Sequence, residues 1–311
     1  MKLKCVKVTL LLLSIILFLS CSDKEFVIDY RLINNLKGDV KSVNSKLYNA
    51  ELKSSGIEKG LQINSFLSEY VDNTLAQLYL IRGDFYIELT KQGELKSLNH
   101  FTMQYTSKID NVYDENNNLI KMLSGANLEH ITTYTTDTDG NYVADTTRDK
   151  SGDMIYRSEY IIEDNKIKEV ATYDADNKLR YRVEYEFNRN SLVQSFKNGD
   201  GKYILKINCS YDGVVHEFFR DDREKFIINR DGDNAIEEIE FYDNNKLIKR
   251  LVFVNDNGDM KLLKIYGANE RVINEYSFKY EFDDYGNWTK RVVYVEDVPK
   301  YINVREIEYF K

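Results

Sequence analysis

The sequence predicts an all-β protein: a long antiparallel meander of hairpin repeats, twisted into an open spiral or a barrel-like roll. A short phrase recurs, cleanest at Phe282-Asp283-Asp284-Tyr285-Gly286-Asn287-Trp288. Looser copies run from Tyr113-Asp114 to Leu119, Tyr173-Asp174 to Leu179 and Tyr242-Asp243 to Leu247. In each, an aromatic ends a strand, Asp starts a turn, Gly or Asn takes the left-handed position, and an apolar residue opens the next strand. Between turns the chain alternates. Tyr181, Val183, Tyr185 and Phe187 oppose Arg180, Arg182, Glu184 and Glu186; Tyr276, Phe278, Tyr280 and Phe282 oppose Glu275, Ser277, Lys279 and Glu281. Period-two alternation collects the apolar side chains on one sheet face. Turns this close leave no room for crossover helices, so neighbouring strands pair antiparallel. A closed barrel or two-sheet sandwich is the second arrangement the pattern allows. A flat sheet would leave its apolar face wet.

Residues 1–20 read as a secretion signal. Lys2, Lys4 and Lys7 form a charged start, and Val8 to Leu19 an apolar stretch shorter than a membrane span of about 20 residues. Leu17-Phe18-Leu19-Ser20-Cys21 resembles the lipobox of bacterial lipoproteins, with Phe18 where Leu is usual. That resemblance implies cleavage before Cys21 and acyl chains on Cys21, hence a membrane partner and a place in the cell envelope, at the outer membrane. Ser22-Asp23-Lys24-Glu25 resembles the acidic tether of some surface-exported lipoproteins, and residues 21–35 read as a linker.

Residues 36–103 form a divergent first part of the repeat domain. Leu36-Lys37-Gly38-Asp39-Val40-Lys41-Ser42-Val43 turns into a strand running towards Tyr48. Polar residues 49–62, with Gly56 and Gly60, suit an irregular connection. Ser65 to Leu80 fits helix and strand about equally. Asp84 to Leu89 and Leu95 to Phe101, around Lys91-Gln92-Gly93, read as a hairpin.

From 104 to 311 the turns fall near Asn117, Gly140, Gly152, Asn165, Asn177, Asn190, Gly199, Gly213, Asp222, Gly232, Asn245, Gly258, Asn269, Gly286 and Asp297. Tyr173-Asp174-Ala175-Asp176-Asn177-Lys178-Leu179 and the 280–288 copy resemble the Tyr-Asp repeats of Rhs-type bacterial proteins. The chain as a whole is more similar to small secreted lipoproteins with degenerate repeats of this kind. In those, a segment like 36–43 precedes the repeats and an ending like Gly286-Asn287-Trp288-Thr289-Lys290-Arg291 closes them. Most copies here lack the Gly and Arg of the Rhs pattern, and the sequence ends on Ile302 to Phe310. A toxin-encapsulating role is therefore not expected.

Composition narrows function. There are 24 Tyr and 15 Phe against one Trp and one Pro, which suits half-buried pleated surfaces. Net charge moves from −8 to −11 once the three leader lysines are gone, with no basic patch, so nucleic acid is not an expected partner. Beyond Cys5 and Cys21 there remains Cys209, in an alternating run with Tyr203, Leu205 and Ile207, expected as a buried thiol.

His100, His130 and His216 lie far apart, with no second His at metal spacing, and no nucleophile elbow, phosphate loop or zinc-protease motif occurs. No catalytic residue, metal site or cofactor is assigned. Adjacent acids Glu237-Glu238 and Asp221-Asp222 do not converge as a catalytic couple must. Asp137-Thr138-Asp139-Gly140-Asn141, Asp231-Gly232-Asp233 and Asn255-Asp256-Asn257-Gly258-Asp259 space oxygens as calcium loops do, but lack the closing Glu of an EF-hand and suit bare turns as well. Aromatics are the remaining binding candidates, with Trp288 and Tyr285 at the last strong turn foremost. The expected role is a non-enzymatic binding or scaffold protein for a protein or glycan partner. An enzyme or inhibitor acting on envelope polymers, and an immunity-like protein against a secreted toxin, are the alternatives.

Overall fold

The computed structural model describes residues 36–63, 85–101, 106–115, 118–138, 140–164, 166–210, 215–220, 223–231 and 235–311. The signal segment 1–20, Cys21, the linker and the ambiguous stretch from Ser65 to Leu80 lie outside them. All regular elements described are strands. They are β1 (Val40–Lys53), β2 (Gly56–Ile63), β3 (Phe85–Leu89), β4 (Leu95–Phe101), β5 (Thr106–Tyr113), β6 (Leu119–Gly125) and β7 (His130–Thr136). Next come β8 (Tyr142–Asp149), β9 (Met154–Glu163), β10 (Lys166–Asp174), β11 (Leu179–Phe187), β12 (Ser191–Asn198), β13 (Tyr203–Ser210) and β14 (Val215–Arg220). The series ends with β15 (Glu224–Arg230), β16 (Ile236–Asp243), β17 (Lys246–Asp256), β18 (Asp259–Gly267), β19 (Val272–Phe282), β20 (Trp288–Val295) and β21 (Val298–Tyr309). This is the all-β antiparallel meander that alternation and turn spacing require.

The chain divides into two compact units. One gathers the residues up to Ser107 with Tyr276–Lys311, and the other is Lys108–Glu275. In the second unit each strand from β5 to β18 pairs antiparallel with the next. Its buried face carries Ile207, Cys209, Ile228, Ile239, Leu251, Leu263 and Ile265, all fully buried. Each of these Ile and Leu side chains contributes about 1.5–3 kcal/mol of apolar burial. Cys209 is the small buried residue expected of it.

In the first unit β1 is central. One edge pairs with β21, Val40 opposite Tyr309 through Asn49 opposite Tyr301. Its other edge pairs with β3 near Ser42 to Ser45 and with β2 from Leu47 onward. The polar run 49–62 is thus a hairpin, not the irregular connection expected. Lys53 faces Gly56 across the tip, and both sides of this ribbon are largely exposed, so polarity there reflects solvent and not a lack of strand. Leu36, Val40, Val43, Phe85, Ile87, Leu89 and Leu95 form a core with Leu98, Ile307 and Tyr309 packed on it.

The recurring phrase has one geometry at Tyr173 and Phe282, whereas the Tyr242 copy closes as a two-residue turn, Asp243 opposite Lys246 with Asn244 and Asn245 both at positive φ. At Asp283 the backbone N–H bonds the carbonyl of Asn287, and the Gly286 N–H returns to the Asp283 carbonyl. The same pair of bonds forms at Thr90, Asp137, Asp149, Asp174, Asn198 and Gly267. The fourth residue takes positive φ: Gly93, Gly140, Gly152, Asn177, Gly201, Glu270 and Gly286. The starting Asp or Asn caps the turn, its Oδ1 accepting N–H bonds two and four residues on at Asp149, Asp174, Asn198 and Asp283. This is a type I turn closed by a bulge. The register skips one residue on the outgoing strand, as at Arg180 and Ile248. The skip explains why Ile120 and Ile248 are exposed.

Details depart from expectation. Near Gly199 the left-handed residue is Gly201. Gly199 is needed because a Cβ there would sit 2.1 Å from the Leu179 carbonyl oxygen. Near Asn269 it is Glu270. A further turn lies between β6 and β7, with Gly125 and Leu128 both at positive φ. The alternating run ending in Phe282 loses its last member: Phe282 is 46% exposed beside the bulge. The turns expected near Asn117, Asn165, Gly213, Asp222 and Gly232 have those residues outside the described set.

Candidate functional site

Trp288 and Tyr285 lie in one assembly within the first unit. The Asn287 side chain, 2% exposed, receives the Lys37 N–H on Oδ1 at 2.7 Å and donates from Nδ2 to the Lys37 carbonyl and the Tyr309 hydroxyl, both at 2.8 Å. It mimics a strand neighbour for Lys37. The Tyr309 hydroxyl donates to Asp283 Oδ2. Its burial, and then this bond to a carboxylate, push the Tyr309 phenol up to about 12. Tyr285 is 57% exposed and stacks on Tyr309, centroids 4.1 Å apart. Gly38, at φ 75°, lies beneath Tyr285. The two sequence signatures at 36–43 and 286–291 are therefore each other's partners, a clasp joining residues 250 apart.

Trp288 does not offer its ring to solvent. It is 6% exposed, with the Arg305 guanidinium 3.5 Å and the Arg291 guanidinium 4.9 Å from the ring centroid. Of the two candidate residues, Tyr285 presents an accessible ring.

The tyrosines divide between the faces. Tyr185 and Tyr276 are buried. Others fill cross-strand pairs on the opposite face, each under a cation: Tyr173 under Arg157, Tyr203 under Lys197, Tyr242 under Lys225 and Tyr266 under Arg250, at 4.5–5.0 Å. All four are directly opposed in register, and each cation neighbours an inward residue: Ser158, Phe196, Phe226 and Leu251. Contacts of this kind on a solvent-facing surface contribute about 0.5–1 kcal/mol each. Tyr203 falls on this face, away from Ile207 and Cys209, because a register skip separates it from Leu205.

On the buried face of the second unit, β7 to β10 bring several polar side chains together. Thr132 meets Thr147 at 2.8 Å, and Ser158 meets Thr172 at 3.2 Å. Asp145 accepts the Tyr160 hydroxyl at 2.6 Å and lies opposite Tyr134 and Ser158. Burial raises the Asp145 carboxyl above the usual range, while hydrogen bonds from Tyr160 and Ser158 work against the rise. Burial, and then the nearby Asp145 charge, push the Tyr160 phenol well up. This pattern gave no sequence signal, since Asp145 sits in a run of Thr and Asp that reads as polar strand.

The raised carboxyl makes a testable sign. The folded state holds this proton more tightly than the unfolded chain. Stability is greatest below the unfolded value, about 4, and falls as pH rises through the raised folded value. Asp145→Asn keeps an acceptor for Tyr160 and cannot ionise. In urea unfolding between about pH 4 and pH 8 it is expected to lose that dependence and to match or exceed the parent at the alkaline end. Asp145→Leu orphans the Tyr160 hydroxyl and is expected to cost about 2 kcal/mol.

The remaining candidates resolve simply. Asp137 spends its Oδ1 on the Asn141 N–H and its Oδ2 on the Asn141 amide, so its oxygens serve the turn. The Asn255–Asp259 loop is a tight two-residue turn with Asn257 and Gly258 at positive φ. Asp139, Gly232, Asp233, Asp221 and Asp222 lie outside the described residues, as do the side chains of His100 and His216. Glu238 pairs with Arg250 at 3.0 Å. No cluster of three His, Cys, Asp or Glu able to hold a metal occurs among the described residues.

No family model and no curated protein matches the chain. Among solved structures it is similar to a porin-like protein from Bacteroides uniformis ATCC 8492, with 10% identity over 88% of this chain and 98% of that one, TM-score 0.32. A porin-like protein from Bacteroides vulgatus ATCC 8482 gives 9% identity over 69% and 98%, TM-score 0.26. TcdB2-TccC3 without its hypervariable C-terminal region gives 9% identity over 68% of this chain and 16% of that one, TM-score 0.23. These are loose likenesses between strand-rich chains, and no function follows from them.

Proposed function

We propose that this is a lipid-anchored envelope protein whose β-meander is a non-enzymatic scaffold for a protein or glycan partner, held to the outer membrane through Cys21. The row of cation-capped tyrosines at Tyr173, Tyr203, Tyr242 and Tyr266 carries the binding half of this reading. It repeats rings, hydroxyls and charges along one face, chemistry suited to a polar partner. The lipobox-like Leu17 to Cys21 carries the anchoring half, since acyl chains contribute about 0.8 kcal/mol per buried CH₂. A hydrolytic reading needs two converging carboxyls, whereas Asp145 faces tyrosines and a serine.

The expected result for Cys21→Ser is loss of labelled palmitate incorporation, with retention of the uncleaved leader. Palmitate incorporation equal to the parent would defeat the anchoring half. For the scaffold half, Tyr203→Ala with Tyr266→Ala is expected to lower binding to envelope glycans on an array, or cross-linking to envelope proteins, at least tenfold. Unchanged binding by that variant, or turnover of an envelope polymer by the purified parent, would overturn it.

A further inference from the structure

The four cation-capped tyrosines of the second unit fall on a line. Tyr173 is on β10, Tyr203 on β13, Tyr242 on β16 and Tyr266 on β18. Followed through the ladder, Tyr203 is level with Ala171, two residues before Tyr173. Tyr242 is level with Lys206, two positions beyond Tyr203 since Ile204 is skipped. Tyr266 is level with Glu240, two residues before Tyr242. Every step across the sheet thus moves the ring two residues along it, always in the same sense. With strands about 4.8 Å apart and about 3.4 Å per residue, neighbouring rings lie about 12–16 Å apart on one oblique line. Tyr203 is 46% exposed and the other three are half-buried, so solvent reaches each ring. The charge along the line is already closed. Arg157 pairs with Glu159, Lys197 with Glu184 at 2.6 Å, Lys225 with Glu217 at 3.9 Å, and Arg250 with Glu238 and Glu270. A charged ligand must displace one of these partners, and an uncharged one need not. Strand addition is closed too, because β10, β13 and β16 are paired along both edges. What stays open is a repeated set of ring, phenol and carboxylate oxygens. A pyranose lays its C–H face on an aromatic ring and turns its hydroxyls to such acceptors. The spacing exceeds the length of one sugar, so a single chain meets the rings in turn.

We propose that this line is the binding track of an unbranched, uncharged glycan, lying obliquely across β10 to β18. The inference rests on the tyrosine-row half of the reading above and narrows its partner to one class. Contact with successive rings ties affinity to chain length, because each further contact is made within one complex. The full chain in a sugar-free non-ionic detergent is titrated by calorimetry with gluco-, manno- and xylo-oligosaccharides, from disaccharide to polymer. Oligogalacturonate serves as the charged counterpart. At least one uncharged series is expected to bind, at least tenfold more tightly as chains long enough to span two rings than as the disaccharide. That binding is expected to change less than twofold between low and high salt, and oligogalacturonate of equal length to bind at least tenfold more weakly. Tyr242→Ala breaks the middle of the line and is expected to lower long-chain affinity at least tenfold. Tyr242→Phe keeps the ring and is expected to stay within about threefold of the parent, and the Tm of each variant checks that it folds. Binding that does not grow with chain length in any uncharged series, tighter binding of oligogalacturonate, or equal long-chain binding by Tyr242→Ala would overturn the track. Cross-linking of the row to an envelope protein with no glycan bound would also overturn it, while leaving the wider scaffold reading in place. Absence of both glycan and protein binding by the parent overturns the two together.

Discussion

Asn287→Ala is expected to cost about 3 kcal/mol, enough to remove a large part of the stability of a typical domain. The substitution deletes one side chain and orphans several groups. The Lys37 N–H loses its acceptor, the Lys37 carbonyl loses a donor, and the Tyr309 hydroxyl keeps only Asp283. Leaving a buried polar group unsatisfied costs about 1–3 kcal/mol, more than the mean gain of a hydrogen bond. Asn287 itself is 2% exposed, but Lys37 is exposed, so water takes up part of the loss and each group costs near the lower end of that range. Equilibrium urea unfolding checks the magnitude, and a loss under about 1 kcal/mol would show that the clasp is not a stabilising contact. Tyr309→Phe removes one of the same bonds, that from Asn287 Nδ2, so the pair is expected to be less than additive.

Gly38→Val is the second large effect, expected at about 3 kcal/mol. Two independent costs meet there. The backbone sits at φ 75°, where a β-branched residue is strained by about 2 kcal/mol. A Cβ would also lie 3.1 Å from the Tyr285 ring, tighter than ordinary contact, and the two γ-methyls of Val add to that crowding against the ring stacked on Tyr309. Gly38→Ala carries the same backbone penalty with less crowding and is expected to lose about half as much. Because both positions act on one clasp, Gly38→Val in the Asn287→Ala background should cost clearly less than it does alone. Full additivity would mean that Gly38 serves β1 alone.

The turns were the legible part of this fold. Positive φ selects Gly and Asn, and the capping Asp is itself a sequence letter, so Asp174 to Lys178 and Asp283 to Asn287 could be placed residue by residue. Leu128 and Glu270 hold the same conformation without a favourable side chain, and such positions are silent. The hairpin of β1 and β2 was hidden by exposure, because a ribbon wet on both sides has no alternation to read. At the candidate site, the burial of Trp288 could not be read from its turn, because its environment depends on Arg291 and Arg305, which approach from its own strand and from the next. The clasp could be seen as two separate signatures and not as one contact, because nothing local to Lys37 points to a side chain 250 residues later. Asp145 was invisible for the same reason: its tyrosine partner lies on the following strand, at a register only the fold defines.

The first strand and the last lie side by side, with Val40 next to Tyr309 and Lys37 pinned to Asn287. A tug arriving through the residues before 36 is therefore met first by the Asn287 bonds and only afterwards by the β1–β21 ladder. A protein tethered by that end to a moving surface would carry its load first on the terminal strands.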